Sequence, residues 1–577
     1  MKVEHAVSPR ALPSSALELA DWEWQDVETH YLDLESRTLD AGTVDDWLTA
    51  WSRLQEFVQE ALIRLYVAKT LDTADESREA SYNTYLEQIF TPSEEHEQRL
   101  RKMLLESGLE PDGFAVPLRN FRTQAQLFRL ANLPLLEKEK KLGSEYDKII
   151  GAQTVEWEGE TITLPRLYRE LEQPDRSTRE KAWRLALGRY QADRSAINDL
   201  WVRLLELRNE IATNADLPNY RAYRWQQLLR LEYAPDDCME FHEAIESVGV
   251  PAAARILKRR REALQLEALR PWDLQADKFS REPLEPFSNV EELIRRTSNI
   301  FHAVDPSLGG YFDTMESERL LDLDNREGKA PGGYAEYFLA VRRPFIFMNA
   351  VGTSVDVETL LHEGGHAFHV FECANLPYIE QLTIPLEFAE VASMSMELLS
   401  APYLTEADGG FYTEAEAARS RIKHLEDIVL FWPYMAVVDA FQHWAYLNPQ
   451  ASADPDACDT QWARLWDRFM PVVDWSGLEQ EKMTGWHRKP HLYLYPFYYV
   501  DYGLAQLGAV QVWRSAMDDQ AKAVKQYREA LALGGTVPLV ELYRRAGAKL
   551  AFDAGTLGEA VSQIESNLEE LEDQNQA

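Results

Sequence analysis

Residues Asp356 to Glu372 read DVETLLHEGGHAFHVFE, and this stretch decides how the rest of the chain is read. Val357, Leu360, Leu361, Ala367, Phe368 and Phe371 recur at helical spacing, and Thr353, Ser354 and Asp356 offer N-caps just upstream. Inside the predicted helix, His362-Glu363-Gly364-Gly365-His366 is an H-E-x-x-H arrangement. Side chains four apart share a helix face, so His362 and His366 aim two imidazoles at one point. Glu363, one position on, can hold a water and take its proton. Zinc held by such a pair brings the pKa of its water to about 7, which makes hydroxide available at neutral pH. The pattern therefore predicts metal-assisted hydrolysis, with a peptide bond as the expected target. Two adjacent glycines inside a helix each cost about 1 kcal/mol relative to alanine. Close approach of another backbone accounts for such a pair.

A third protein ligand must come from elsewhere. His369 lies one and a half to two turns beyond His362, about 10 Å along the axis, too far for both to reach one ion. It is read as a supporting or core residue. A third histidine three residues further on would complete another known pattern, but that position is Glu372. The remaining source is an acid on a second helix. Pro385 to Leu399, PLEFAEVASMSMELL, is helix-patterned and carries Glu387, Glu390 and Glu397. Small residues Ala392, Ser393 and Ser395 allow it to pack closely on the first helix. Glu390 and Glu397 share a face; Glu390 is favoured as the ligand and Glu397 as an acid that orients one.

Taken together, H-E-x-G-H and the downstream E-V-A-S-x-x-x-E (Glu390 to Glu397) resemble the thimet oligopeptidase and oligoendopeptidase F family of zinc peptidases. The resemblance covers about 200 to 560. It extends to Trp486–Tyr502, WHRKPHLYLYPFYYVDY, similar to that family's His/Tyr-rich motif, and the P-F-Y-Y-V-D-Y form is closest to the Pz-peptidase-like branch. The resemblance implies one zinc ion per chain on His362, His366 and Glu390, with Glu363 as general base. It also implies that His491, Tyr502 and Tyr498 donate hydrogen bonds to the tetrahedral oxyanion, with Tyr495 and Tyr499 as neighbouring substrate contacts. Gly332-Gly333-Tyr334 is similar to the family's substrate loop, beside a strand whose edge takes an extended peptide. Oligopeptide substrates follow from the deep channel between helical lobes that such enzymes possess.

Composition narrows the field further. A chain of 577 residues with 45% apolar residues and sixteen Trp is globular, with room for several cores. Sixty basic against 96 acidic residues leave a net charge of −36, which opposes nucleic acid and anionic membrane as partners. Cys238, Cys373 and Cys458 have no paired spacing, which suits a reducing compartment. MKVEHAVSPRALPSS lacks the apolar core of a signal peptide, and the most apolar run, 428–438, is too short to span a bilayer. A cytoplasmic protein is expected, monomer or homo-oligomer undetermined.

Along the chain the reading is mainly α with a small β-sheet next to the H-E-x-x-H helix, and the resemblance implies a large, helical, two-lobed metallopeptidase with a deep channel. Residues 20–35 read as an irregular or strand-like start, and 43–105 as long amphipathic helices. A hairpin is predicted over 151–165, turning at Glu158-Gly159. Strands are predicted at 335–341 and 344–349. After Glu390 helix runs to the end, fraying beyond about 567, and Pro496 is expected in the first turn of a helix carrying Tyr498, Tyr499 and Tyr502. A soft boundary near 185 separates an N-terminal helical lobe (1–185) from a catalytic zinc-peptidase region (186–577). Two rival functions stand beside the endopeptidase: a helical zinc carboxypeptidase anchoring the substrate's terminal carboxylate on Arg488 or Lys489, and a non-catalytic, zinc-containing peptide-binding protein.

Overall fold

In the computed structural model, which describes residues 9–279 and 281–576, helix makes up nearly all regular structure. The principal helices in chain order are α1 (Trp24–Ser36), α2 (Val44–Leu71), α3 (Glu76–Tyr85), α4 (Arg176–Ala192), α5 (Arg194–Asn214), α6 (Val290–Val304), α7 (Ser354–Cys373), α8 (Leu386–Ser400), α9 (Glu414–Leu447), α10 (Tyr499–Asp518), α11 (Gln520–Leu531) and α12 (Ala554–Gln576). The mainly α expectation therefore holds, and no described helix is long and apolar enough to cross a membrane.

Compactness divides the chain into two units, each assembled from three stretches. The first takes 1–126, 285–417 and 508–550; the second takes 127–284, 418–507 and 551–577. Position 185, where the sequence suggested a boundary, lies inside α4 and within the second unit. In the first unit, α2 buries Trp47, Leu48, Trp51, Leu54, Phe57 and Val58 along one stripe, and the Trp47 indole donates to the Leu34 carbonyl at 3.0 Å. That contact corrects the strand-like reading of 20–35. Val27, Tyr31 and Leu34 recur at helical spacing in α1 and are buried, so amphipathic packing decides this segment. Three fully buried tryptophans of the second unit donate to fixed acceptors: Trp201 to Ser452 O (2.9 Å), Trp486 to Asp459 Oδ1 (2.7 Å) and Trp432 to Gly503 O (3.1 Å).

Two small sheets complete the fold. β1 (Thr154–Trp157) and β2 (Glu160–Thr163) form the expected hairpin, with Glu158 and Gly159 both at positive φ, the backbone a tight two-residue turn demands. The other sheet has the order β3–β5–β4, from β3 (Leu321–Asp324), β4 (Tyr334–Phe338) and β5 (Arg343–Ala350). β3 runs parallel to β5 and β4 antiparallel to it. β5 is central and mostly buried, whereas β4 is an edge strand. β3 escaped the sequence reading because LDLD is short and half acidic.

Two further expectations need correction. Helix α12 continues to Gln576 rather than fraying near 567, because Leu568 and Leu571 are buried and hold its last turns. Pro496 is not in a first helical turn: Phe497 has a φ of 65°, a left-handed kink, and α10 starts only at Tyr499, leaving Tyr498 just ahead of it.

Candidate metal centre and peptidase site

The approach to α7 is fixed by short-range chemistry. β5 ends at Ala350, Gly352 turns the chain at a φ of 96°, and Thr353 caps the helix. The Asp356 carboxylate accepts from the backbone N–H of Thr353 (2.8 Å) and of Val351 (2.9 Å), so the cap is reciprocal. Farther along, the two glycines face different neighbours. A Cβ on Gly364 would sit 2.5 Å from the Phe301 ring of α6, and one on Gly365 would sit 2.5 Å from Ser393 Cα and 2.6 Å from Ala392 O of α8. Gly365 is therefore the point where the two backbones touch, the close approach its sequence position suggested.

That contact brings three groups together. His362 Nε2 lies 3.5 Å and His366 Nε2 3.7 Å from Glu390 Oε2. For bonds of about 2.0–2.1 Å in a tetrahedral site, neighbouring ligand atoms stand roughly 3.3–3.4 Å apart, so this set fits zinc with modest contraction. Behind it, His362 Nδ1 meets Glu397 Oε1 at 2.5 Å, the carboxylate–histidine pairing that fixes a ring for coordination through its other nitrogen. Burial opposes charge on His362, but Glu390 and Glu397 outweigh it and raise its pKa well above the ordinary histidine value, a field that favours a cation. Glu363 is buried on the same helix. His369 packs against Phe388 at 5.9 Å, its pKa pushed down to about 3 by burial, which makes it a core residue.

The Gly332–Tyr334 loop belongs to the same unit. Gly332 has a φ of 98°, and its carbonyl accepts from Asn349 Nδ2 (2.9 Å). Gly333 faces Thr359 of α7, where a Cβ would come within 3.5 Å. Tyr334 stacks on Phe347 at 4.7 Å, and its hydroxyl is 2.6 Å from Thr70 Oγ1. Sequence reasoning missed Lys329, whose ammonium reaches the Asp322 (3.0 Å), Asp324 (2.7 Å) and Met348 carbonyls and closes this loop onto the sheet; nothing in GKAPGGY marks it out.

The aromatic residues singled out downstream gather in the second unit. The His491 ring is 4.8 Å from Tyr499, 5.9 Å from Tyr502, 6.1 Å from Tyr498 and 6.3 Å from Tyr495. Tyr498 and Tyr502 meet edge to face at 4.9 Å; Tyr499 is buried and Tyr495 is 55% exposed. Burial, aided by nearby Lys489, pushes the His491 pKa down to about 4, so the ring is neutral at ordinary pH. The segment is pinned by arginines that no motif marks out. Arg208 donates to the carbonyls of Leu492 (3.0 Å) and Tyr493 (2.5 Å), Arg224 to that of Pro496 (3.1 Å) and Arg230 to that of Phe497 (2.6 Å).

Known proteins fall on the same architecture. The model of peptidase family M3 matches residues 170–560, more than half of the chain. The chain belongs to peptidase family M3. Among M3-type relatives, an oligoendopeptidase F homolog of Lactococcus lactis subsp. lactis (strain IL1403) is 21% identical over 569 residues, covering 89% of this chain and 88% of that protein. A Pz peptidase A structure with an inhibitor is 27% identical with a TM-score of 0.86, covering 98% of this chain and 99% of that one. An oligoendopeptidase F from Enterococcus faecium, 17% identical with a TM-score of 0.58 over 95% of this chain and 97% of that one, shares the fold. Membership of peptidase family M3 makes the chain a peptidase and implies a metal.

Proposed function

We propose that this chain is a zinc endopeptidase that cuts internal bonds of short, unstructured oligopeptides. The observation that carries the reading is the convergence of His362, His366 and Glu390 in a family M3 chain. These three would hold one zinc ion, with Glu397 fixing the ring of His362. When bound, the ion supplies Lewis-acid polarisation of water and of the scissile carbonyl. Glu363 takes the proton of the attacking water on its carboxylate and returns it to the leaving amine. His491, Tyr502 and Tyr498 donate to the oxyanion, a role for which a neutral imidazole and two phenols are chemically suited. Gly332, Gly333 and Tyr334 hold the extended substrate against the edge of β4 by main-chain hydrogen bonds, and Tyr495 and Tyr499 contact its side chains. The cytoplasm is the compartment proposed, since the three cysteines are buried and unpaired.

Digestion of a mixed oligopeptide library by the zinc-loaded protein, read by mass spectrometry, tests the activity; no internal cleavage of any member would leave the peptide-binding alternative. Elemental analysis is expected to find one zinc per chain, lost in His362→Ala. Full zinc in Glu390→Ala would move the third ligand to Glu387 or Glu397. Glu397→Gln is expected to weaken zinc roughly 10–100-fold in chelator competition while the ligands remain, and unchanged affinity would show that the 2.5 Å contact orients nothing.

One observation favours the carboxypeptidase as a second reading. The ammonium of Lys489 lies 4.2 Å over the Tyr434 ring and 5.5 Å over Tyr499, and burial brings its pKa down to about 8. Such an ammonium is a natural seat for a terminal carboxylate. Amidating the substrate's C-terminus separates the two, because only a carboxypeptidase would then stop.

A further inference from the structure

We propose that Glu336, together with Tyr66, Tyr82 and Tyr334, forms a receptor for a lysine or arginine side chain of the peptide lying along the β4 edge. The proposal rests on the peptidase reading above and adds to it a substrate class.

Strand geometry sets the orientation. Alternate residues of β4 face opposite sides, so Tyr334 and Glu336 share one face and Ala335 and Tyr337 the other. The Tyr334 face is that of α2, since its ring is 5.7 Å from Tyr66 and its hydroxyl meets Thr70. Tyr66 in turn lies 6.1 Å from Tyr82 of α3. Three phenol rings from two helices and a strand thus sit on the side toward which Glu336 points, and none of the four residues is fully buried.

The chemistry of Glu336 makes this arrangement directional. Its carboxyl is held above the ordinary glutamate range by burial, which the Tyr337 backbone offsets only in part. Burial raises the phenols of Tyr82 and Tyr334, and the Glu336 charge adds to both. Among the described residues no lysine, arginine or histidine stands within ion-pair distance of this carboxylate. Two nearby cations are engaged elsewhere, and a third rests on one of the receptor rings without pairing with the carboxylate. Arg64 is bonded to Glu60 at 2.7 Å and stacked on Phe338, Arg342 is paired with Glu56, and Lys69 lies over the Tyr82 ring at 4.8 Å. A half-desolvated carboxylate without a counter-ion is unfavourable by itself. With phenol rings on the same side, it is a good host for an incoming ammonium or guanidinium, which gains the ion pair and can add cation–π attraction.

β4 supplies the route. It is hydrogen-bonded on one side only, by β5. A peptide paired with its free edge presents every second side chain to the Tyr334/Glu336 face. One substrate position, and not its immediate neighbours, therefore meets the carboxylate.

The test uses zinc-loaded full-length protein and three peptide sets, identical except for lysine, norleucine or glutamate walked across the positions flanking the cleaved bond. The wild type is expected to favour lysine over norleucine at one position by about tenfold to a hundredfold in kcat/KM, mostly through KM. Glu336→Gln should bring that ratio close to one, and Glu336→Lys should invert it in favour of glutamate. Equal lysine-to-norleucine ratios in wild type and Glu336→Gln at every position would overturn the receptor while leaving a working peptidase. Failure to cleave any peptide would remove the peptidase reading and this inference together.

Discussion

Glu363→Gln is expected to leave a folded, zinc-loaded protein whose peptide hydrolysis has fallen by roughly 10²–10⁴, the range set by loss of a positioned general base. Three features make this substitution clean. Gln is isosteric with Glu, so the buried position on α7 is filled as before. Glu363 is outside the group of His362, His366 and Glu390 whose donor atoms lie within 4.8 Å of one another, so removing its charge does not delete a ligand. The amide keeps a hydrogen-bonding oxygen but cannot accept a proton and pass it on. Zinc content by elemental analysis and single-turnover rates on one defined peptide give the two readouts. Near-normal turnover would mean that the proton goes to another group, while loss of zinc would place Glu363 in the ligand set. His362→Ala is the contrasting variant, inactive because the ion itself is gone.

Much of this centre was legible in the chain, because spacing four on a helix is a strong geometric constraint. His362 and His366 could only face together, and the small residues on PLEFAEVASMSMELL allowed a close helix crossing. Among the three acids the shared face favours Glu390 as ligand with Glu397 behind it, but spacing alone does not supply the contacts they make. Glu387, Glu390 and Glu397 all lie on that helix, and only the crossing at Gly365 determines that Glu390 meets both imidazoles while Glu397 meets the far nitrogen of one. The errors have local causes too. Pro496 reads as a helix start, but the left-handed Phe497 delays the helix, and that conformation goes with long-range bonds from Arg230 to Phe497 O and from Phe497 N to Gln442 Oε1 at 2.6 Å. Glu336 is inconspicuous in the sequence for a related reason. One glutamate in GGYAEYF is unremarkable until Tyr66 and Tyr82, distant in sequence, are found beside Tyr334.

Gly365→Ala should destabilise the protein by roughly 1–3 kcal/mol and lower zinc affinity at least about tenfold, although alanine is the better helix former. Taken alone, the exchange inside α7 gains about 1 kcal/mol of helix propensity. Against this, the new methyl would stand 2.5 Å from Ser393 Cα and 2.9 Å from Ala392 C, contacts with backbone that no side-chain rotation relieves. Nor can α8 retreat freely: Ala392 O is held at 2.8 Å by the Tyr527 hydroxyl of α11, and Val391 is packed so closely that a Cβ on Gly508 would meet it at 2.9 Å. Separating α7 from α8 by even a few tenths of an ångström lengthens the 3.5 and 3.7 Å spacings between the histidines and Glu390, while a zinc site tolerates about 0.2 Å per bond. Gly188→Ala is the matched control. Gly188 lies exposed within α4 with nothing near the position of its Cβ, so the same chemical change there should stabilise by about 0.5–1 kcal/mol. Denaturant unfolding of both variants with the metal removed, followed by chelator competition on the refilled proteins, gives the sign at each site. A Gly365→Ala protein that gains stability as Gly188→Ala does, with zinc held as tightly as in the wild type, would show that α7 and α8 do not touch at this residue, and the spacing of the three ligands would need another cause.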